Sequence, residues 1–244
     1  MRQSVSAELT YAHSRQDDYG VRSSVITSLG ADLHRNLCSF CNDISVDSPS
    51  LWNRPLFESL NFVVIPSLGA LIEGWLLIVS KTHFICAAAF PDHMVAELES
   101  LKSNVCEAVR SRYGNAIVFE HGPASDSRPV GCGVDHAHLH VVPISHDLTA
   151  PVLALLPSAA VWQGGDLSAC RAAFRSGFDY LYLEQAPHDP KILVWANVGS
   201  QLFRRAIASQ LGVPEEYNWR EHPRRESAVS TAAAFSRLQQ FRRP

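Results

Sequence analysis

The hydrophobic positions of this chain fall into short runs that separate into two periods. From Pro55 the pattern is that of a sheet. Pro55–Glu58 comes first, then Phe62-Val63-Val64-Ile65-Pro66. After the turn-like Ser67-Leu68-Gly69 follows the near-continuous apolar run Trp75–Ser80, which predicts a central strand. Pro91 and Asp92 open a helix in which Met94, Leu98, Leu101, Val105 and Val109 recur at helical spacing, with Gly114 as its stop. Ala116–Glu120 predicts another strand. Residues 121–134, with Pro123 and glycines at 122, 131 and 133, predict a loop. The loop leads into Asp135-His136-Ala137-His138-Leu139-His140-Val141-Val142. Strict alternation is the strand period, so His136, His138 and His140 share one face and Ala137, Leu139 and Val141 the other. Further on, Tyr180–Glu184 and Ile192–Trp195 predict two strands around a turn at Pro187–Pro190. Ser200–Leu211 predicts a helix capped by Gly212, and Ser227–Phe241 a final Ala-rich helix.

This order of elements predicts an α+β fold, a mainly antiparallel sheet with helices on one side, plus a C-terminal α/β extension packed on the core. The expected divisions are an N-terminal arm over 1–32, a catalytic domain over 33–147 and the extension over 148–244. With 244 residues, 46% of them hydrophobic, the chain can bury a sizeable core. Residues 1–24 are polar and lack the apolar core of a signal peptide, and no window approaches the length of a membrane span. A cytoplasmic protein without membrane partners is therefore expected. A net charge of −3 argues against wholesale binding of nucleic acid. The charge is uneven, however: residues 199–244 hold eight Arg and no Lys against four Glu and no Asp. Guanidinium groups suit phosphate because they make paired hydrogen bonds. Arg204 and Arg220 are the candidates for such contacts.

The alternating histidines carry the chemistry. Consecutive imidazoles on one strand face stand roughly 6.6 Å apart, close enough to meet one small charged ligand or to divide between a metal and a substrate. A strand that served stability alone favours Val or Thr there, whereas imidazole is a near-neutral base, nucleophile and metal ligand. Six cysteines in a chain of this length do not make a disulfide scaffold. Only Cys38 and Cys41 have an informative spacing, and Cys-x-x-Cys fits either a zinc site or a redox pair. Cys86, Cys106, Cys132 and Cys170 read as buried small hydrophobes.

The run His-x-His-x-His followed by two apolar residues resembles the signature of the histidine triad superfamily, and His136–Val142 carries it in full. In the zinc-bearing branch of that superfamily, and in galactose-1-phosphate uridylyltransferase, an early Cys-x-x-Cys joins a mid-chain His and the His two places before the nucleophile. The matching positions here are Cys38, Cys41, His83 and His136, which implies a structural Zn2+; His34 and His93 are rival ligands. The resemblance further implies that His138 attacks the α-phosphorus of a nucleotide and that His140 contacts the phosphate or leaving-group oxygens. It makes the chain a nucleotide hydrolase or nucleotidyltransferase, acting on a dinucleoside polyphosphate, nucleotide sugar or phosphoramidate through a nucleotidyl-His138 intermediate. For this, the other nitrogen of His138 must be fixed as a donor, most simply to a carbonyl on a neighbouring strand. Gly131 and Gly133 would let backbone N–H groups approach the phosphate.

Two departures from the family pattern stand out. Glu120 occupies a place where many triad proteins carry Gln or Asn, and is expected to hold a histidine or a substrate hydroxyl. No carboxylate falls at the usual ribose-gripping position, which here reads Ile65-Pro66-Ser67; Glu73 is merely near. Phe57, Phe62 and Trp75 are candidates to sandwich a base. A non-catalytic, zinc-stabilised nucleotide-binding or adaptor module competes with the enzyme, as does a metalloenzyme with the triad as its catalytic metal site. Triad proteins are commonly homodimers, so a homodimer is the default. Base, sugar, acceptor and oligomeric state stay open.

Overall fold

The structure, a computed structural model, describes residues 38–44, 50, 53–126, 135–196 and 199–239; the predicted N-terminal arm, His34, Gly131, Cys132 and Gly133 lie outside them. Eight strands form one sheet: β1 (Phe57–Glu58), β2 (Phe62–Pro66), β3 (Leu76–Ser80), β4 (Ile117–Gly122), β5 (His138–Val142), β6 (Gln163–Gly164), β7 (Tyr180–Glu184) and β8 (Pro190–Val194). Their order is β1-β2-β3-β5-β4-β7-β8-β6, and the pairs are antiparallel. The described helices are α1 (Ser39–Ile44), α2 (Asp92–Tyr113), α3 (Thr149–Leu153), α4 (Leu167–Arg175), α5 (Leu202–Gln210) and α6 (Arg225–Gln239). None of them is long and apolar enough to cross a membrane.

The apolar runs of β2 and β3 have a direct cause, because both sheet faces are covered and every residue of the two strands is buried. On one face Leu76, Ile78, Leu139 and Val141 pack with Met94, Leu98 and Val105 of α2, Cys170 of α4 and Phe235 of α6. On the other, Val63, Ile65, Leu77 and Phe119 pack with Val152 of α3 and with Phe203 and Ile207 of α5. The long helix of the triad core thus lies on one side, as the sequence predicts, while α3 and α5 of the C-terminal region cover the other. Helix α2 ends at Gly114, whose φ of +86° is left-handed and whose N–H donates to the Arg110 carbonyl.

The C-terminal region continues the sheet. Strand β7 pairs along the outer edge of β4, from Val118 opposite Glu184 to Gly122 opposite Tyr180. A Cβ at Gly122 would lie 2.0 Å from the Tyr180 ring, so a side chain there would drive the two strands apart. This pairing carries β4 two residues beyond its predicted end at Glu120 and turns the first residues of the predicted loop into strand. The short helices α1 and α3 have too few turns to show a period; α4 is announced by Asp166, whose carboxylate accepts from the Ser168 and Ala169 N–H groups.

Candidate functional site

Strand β5 lies between β3 and β4, and its register sets the site. Val79 stands opposite His138, Leu77 opposite His140 and, from β4, Phe119 opposite His140. Just before β5, His136 meets the turn that follows β3 and the first turn of α1.

There, Cys38, Cys41, His83 and His136 bring two Sγ and two imidazole nitrogens within 4.8 Å of one another. Cys38 Sγ is 3.3 Å from His136 Nδ1, Cys41 Sγ is 3.4 Å from His83 Nδ1, and Cys41 Sγ is 3.5 Å from His136 Nδ1. Ligand atoms of a tetrahedral zinc stand roughly 3.3–3.8 Å apart, given bonds of about 2.3 Å to sulfur and about 2.0 Å to nitrogen. The donor set therefore suits zinc. Four protein ligands make a closed, structural site, and Cys38 and Cys41 form half of it. The His136 Nε2–H donates to the Ser80 carbonyl at 2.7 Å, which turns the Nδ1 lone pair toward the thiols. Burial drives the His136 pKa down to about 4, so the ring is neutral, as a ligand must be. His93 is exposed on α2 and is not part of the cluster.

The other two triad histidines are not part of this cluster. His138 is half-buried, and its Nδ1–H donates to the carbonyl of His136 at 2.7 Å. The donor is thus fixed as expected, but by a carbonyl of its own strand segment and not by a neighbouring strand. The bond leaves the lone pair on Nε2. Burial lowers the His138 pKa, so the neutral form dominates. His140 is buried, stacked on Phe119 at 4.5 Å, and its Nδ1 accepts from the Trp75 indole N–H at 3.0 Å. Its proton therefore sits on Nε2, and burial holds its pKa well below the ordinary range. Trp75 orients a histidine, which differs from its expected role as a base platform. Phe57 and Phe62 pack in the core of the opposite face.

His138 and His140 open on a cavity of about 280 Å³. Arg204, on α5, reaches the same cavity although it is 1% exposed. Its Nε donates to the Tyr217 carbonyl at 2.8 Å, its Nη2 to the Gly69 carbonyl, and its guanidinium lies 5.0 Å from the Trp75 ring centre. Arg220 stays exposed, over the Trp219 ring at 4.8 Å, and it is Trp219 that lines the cavity. From α1, Phe40 and Asp43 form part of the wall, and Phe40 meets the His138 ring edge-on at 5.2 Å. Burial pushes the Asp43 carboxyl up from its usual range.

Glu120 does not join this group. It alternates with Phe119 and His121 along β4 and points to the opposite face, 2% exposed. There its Oε1 accepts from the Ala87 N–H at 2.7 Å and its Oε2 from the Tyr180 hydroxyl at 2.6 Å. Burial pushes its pKa up to about 7. The titratable residue that β4 gives to the triad face, beside Phe119, is His121. Its Nε2 accepts from the Phe203 N–H at 3.4 Å near the start of α5, where Gln201 provides no side-chain cap. Burial, with smaller contributions from His138 and Arg204, lowers its pKa to about 3. Its value was hidden because the strand was predicted to end one residue earlier. Gly131 and Gly133 lie outside the described residues. Cys86, Cys106 and Cys170 are buried, and burial raises all three thiols.

Residues 34–154 match the family model described as "Protein similar to CwfJ C-terminal". Among solved structures, the chain is similar to a Hit-like protein involved in cell-cycle regulation from Bartonella henselae. The two are 16% identical over 44% of this chain and 80% of that one, with a TM-score of 0.37. It is also similar to a Zn-bound histidine triad family protein from Mycobacterium smegmatis, at 27% identity over 46% of this chain and 79% of that one, TM-score 0.37. A HIT-family member from Bacillus subtilis is 20% identical over 43% of this chain and 72% of that one, TM-score 0.37. No curated protein matches the chain.

Proposed function

We propose that this histidine-triad-like domain binds a nucleotide in the cavity at His138 and transfers its nucleotidyl group through a covalent adduct on that residue. One observation carries the reading: the hydrogen bond from His138 Nδ1–H to the His136 carbonyl, which leaves a neutral imidazole with its lone pair on Nε2. In the first step that lone pair forms a bond to the α-phosphorus, and the bond from phosphorus to the leaving group breaks with its electron pair leaving on that group. In the second step a water, or another hydroxyl acceptor, attacks the phosphorus and releases its proton to solvent. The P–N bond breaks and its electron pair returns to Nε2.

His140, with its proton on Nε2, acts as a hydrogen-bond donor to the phosphoryl or leaving-group oxygens. Arg204 places a fixed positive charge on the cavity wall. Zinc, when bound, supplies a cross-link that holds α1 and the segment before β5 together; Cys38, Cys41, His83 and His136 hold it. In this reading residues 33–147 are the catalytic domain, and 148–244 complete its cavity with Arg204 and Trp219. The substrate classes are dinucleoside polyphosphates, nucleotide sugars and nucleoside phosphoramidates, and the acceptor decides between hydrolase and transferase.

The test is release of nucleoside monophosphate from a panel of these substrates by the wild type and by His138→Asn. Turnover by the wild type, reduced about a thousandfold or more in the variant, supports the reading. Tight nucleotide binding without turnover by either protein replaces it with the non-catalytic nucleotide-binding module.

A further inference from the structure

One histidine on the triad face serves neither the metal cluster nor the transfer step. His121 is buried, its ring lies 5.0 Å from that of Phe203, and its Nε2 accepts from the Phe203 N–H at 3.4 Å. The proton therefore sits on Nδ1, which is buried with no hydrogen-bond partner among the described residues. A buried donor left unpaired is a net cost. Phenylalanine or leucine would fill a place among aromatic rings without that cost, so packing alone does not account for an imidazole here. What the imidazole adds is the acceptor on Nε2.

That acceptor meets a need of α5. The first N–H groups of a helix have no partner inside it. Gln201, in the cap position of α5, has a left-handed φ of +57° and provides no side-chain cap. Its amide is turned to the segment that carries Trp219: Oε1 accepts from the Trp219 N–H at 3.4 Å, and Nε2 donates to Asn218 Oδ1 at 3.3 Å. The acceptor at the helix start comes instead from β4, 82 positions away in sequence.

The turn held in this way carries the positive charge of the cavity wall. Arg204 follows Phe203 directly and lines the cavity with His138 and His140. Phe203 also stacks on Phe119 at 4.4 Å, and Phe119 on His140 at 4.5 Å. Burial, and then the nearby charges of His138 and Arg204, keep the His121 ring neutral, so Nε2 stays an acceptor. A fixed charge stabilises a developing phosphoryl charge only from the right place, and an error of about 1 Å costs up to about a hundredfold in rate.

We propose that His121 is a positioning residue for the transfer step: its Nε2 holds the first turn of α5 and so fixes Arg204 on the cavity wall. This inference rests on the nucleotidyl-transfer reading and adds to it a residue that touches no substrate.

The experiment compares the zinc-loaded full chain as wild type, as His121→Phe and His121→Leu, which fill the space without an acceptor, and as His121→Gln, whose side-chain oxygen restores one. Arg204→Ala is made alone and combined with His121→Phe, and urea unfolding checks that each variant is folded. Turnover is followed on the dinucleoside polyphosphate, nucleotide sugar or phosphoramidate that the wild type accepts. Exchange of the Arg204 Nε–H with solvent is followed by heteronuclear NMR. The acceptor-free variants should lose about tenfold in kcat with KM within about twofold, and His121→Gln should recover most of that loss. In the Arg204→Ala background, His121→Phe should cost less than about twofold more. Arg204 Nε–H exchange should quicken about tenfold in the acceptor-free variants alone. An unchanged kcat in those variants, an equal loss in His121→Gln, or an undiminished loss on top of Arg204→Ala overturns the inference and leaves the transfer reading standing. A wild type without turnover removes the transfer reading; unaltered Arg204 Nε–H exchange then overturns the inference as well, and quickened exchange upholds the hold of His121 on Arg204.

Discussion

The imidazole of His138 donates to the backbone carbonyl of His136 at 2.7 Å. His136 belongs to the metal cluster, and its own Nε2–H is held by the Ser80 carbonyl at 2.7 Å. A single peptide carbonyl therefore joins the metal centre to the tautomer of the candidate nucleophile. In the proposed reading the metal performs no step and would keep that carbonyl in place for His138.

Metal removal tests this arrangement. The purified chain should hold a single zinc by elemental analysis. A chelator, or Cys41→Ser, should lower Tm by about 10 °C, because a closed four-ligand site contributes several kcal/mol to the fold. Zinc should restore the wild type and magnesium should not. An unchanged Tm in metal-free protein would contradict a structural role.

Trp75 sets the tautomer of His140. Trp75→Phe removes the indole N–H that donates to Nδ1. The expected cost is about 1–3 kcal/mol in urea unfolding, from the lost hydrogen bond and the space left in a fully buried position. Heteronuclear NMR of the imidazole should show His140 moving away from a single Nε2–H form. Turnover should fall about tenfold, with nucleotide affinity nearly kept.

Glu120 gives a pH signature that is independent of the site. Its pKa is pushed up to about 7 by burial, above its unfolded value near 4.5. Between these values the folded state binds more protons than the unfolded one, so this group's contribution falls as pH rises through that window. The full loss above pH 7 is of the order of 3 kcal/mol. His121 and His136 have depressed pKa values and act with the opposite sign as pH falls below their unfolded range. The difference between wild type and Glu120→Gln isolates the carboxyl. It should change by a few kcal/mol between pH 4.5 and 7.5 in urea unfolding. Nucleotide affinity should stay within about twofold, because the side chain faces away from the triad; a large loss would return Glu120 to the substrate.

Gly69 controls how the C-terminal region closes the cavity. Its φ is +71°, and a Cβ there would stand 2.4 Å from Trp219 Cβ and 2.8 Å from Trp219 Cα. Gly69→Ala should cost about 2 kcal/mol or more, from the left-handed backbone and the displaced Trp219. Because the Gly69 carbonyl also accepts from Arg204, nucleotide affinity should fall together with stability. Calorimetry of binding and urea unfolding read the two effects separately.

The triad was legible because period-two alternation survives without any knowledge of the partner strands. The metal cluster was legible because Cys-x-x-Cys has few structural readings, and the family resemblance supplied the remaining ligands. Glu120 was misplaced for a reason of register. Which face of β4 meets His140 depends on Phe119 pairing with it, and on a strand whose last residues are held by β7, about sixty positions along the chain. Arg204 stood out as a phosphate-type residue, yet nothing local distinguished it from Arg220; only the fold buries one and exposes the other. Asp43 and Trp219 enter the cavity from a six-residue helix and from a turn, segments too short to carry a period.

The central claim is that His138 becomes covalently nucleotidylated. Intact-protein mass spectrometry after brief exposure to nucleotide sugars and dinucleoside polyphosphates tests it most directly, with wild type and His138→Gly side by side. The account predicts a wild-type mass increase of one nucleoside monophosphate that is absent from the variant. The same adduct on both proteins, or none on a wild type that turns the substrate over under rapid quenching, would contradict it.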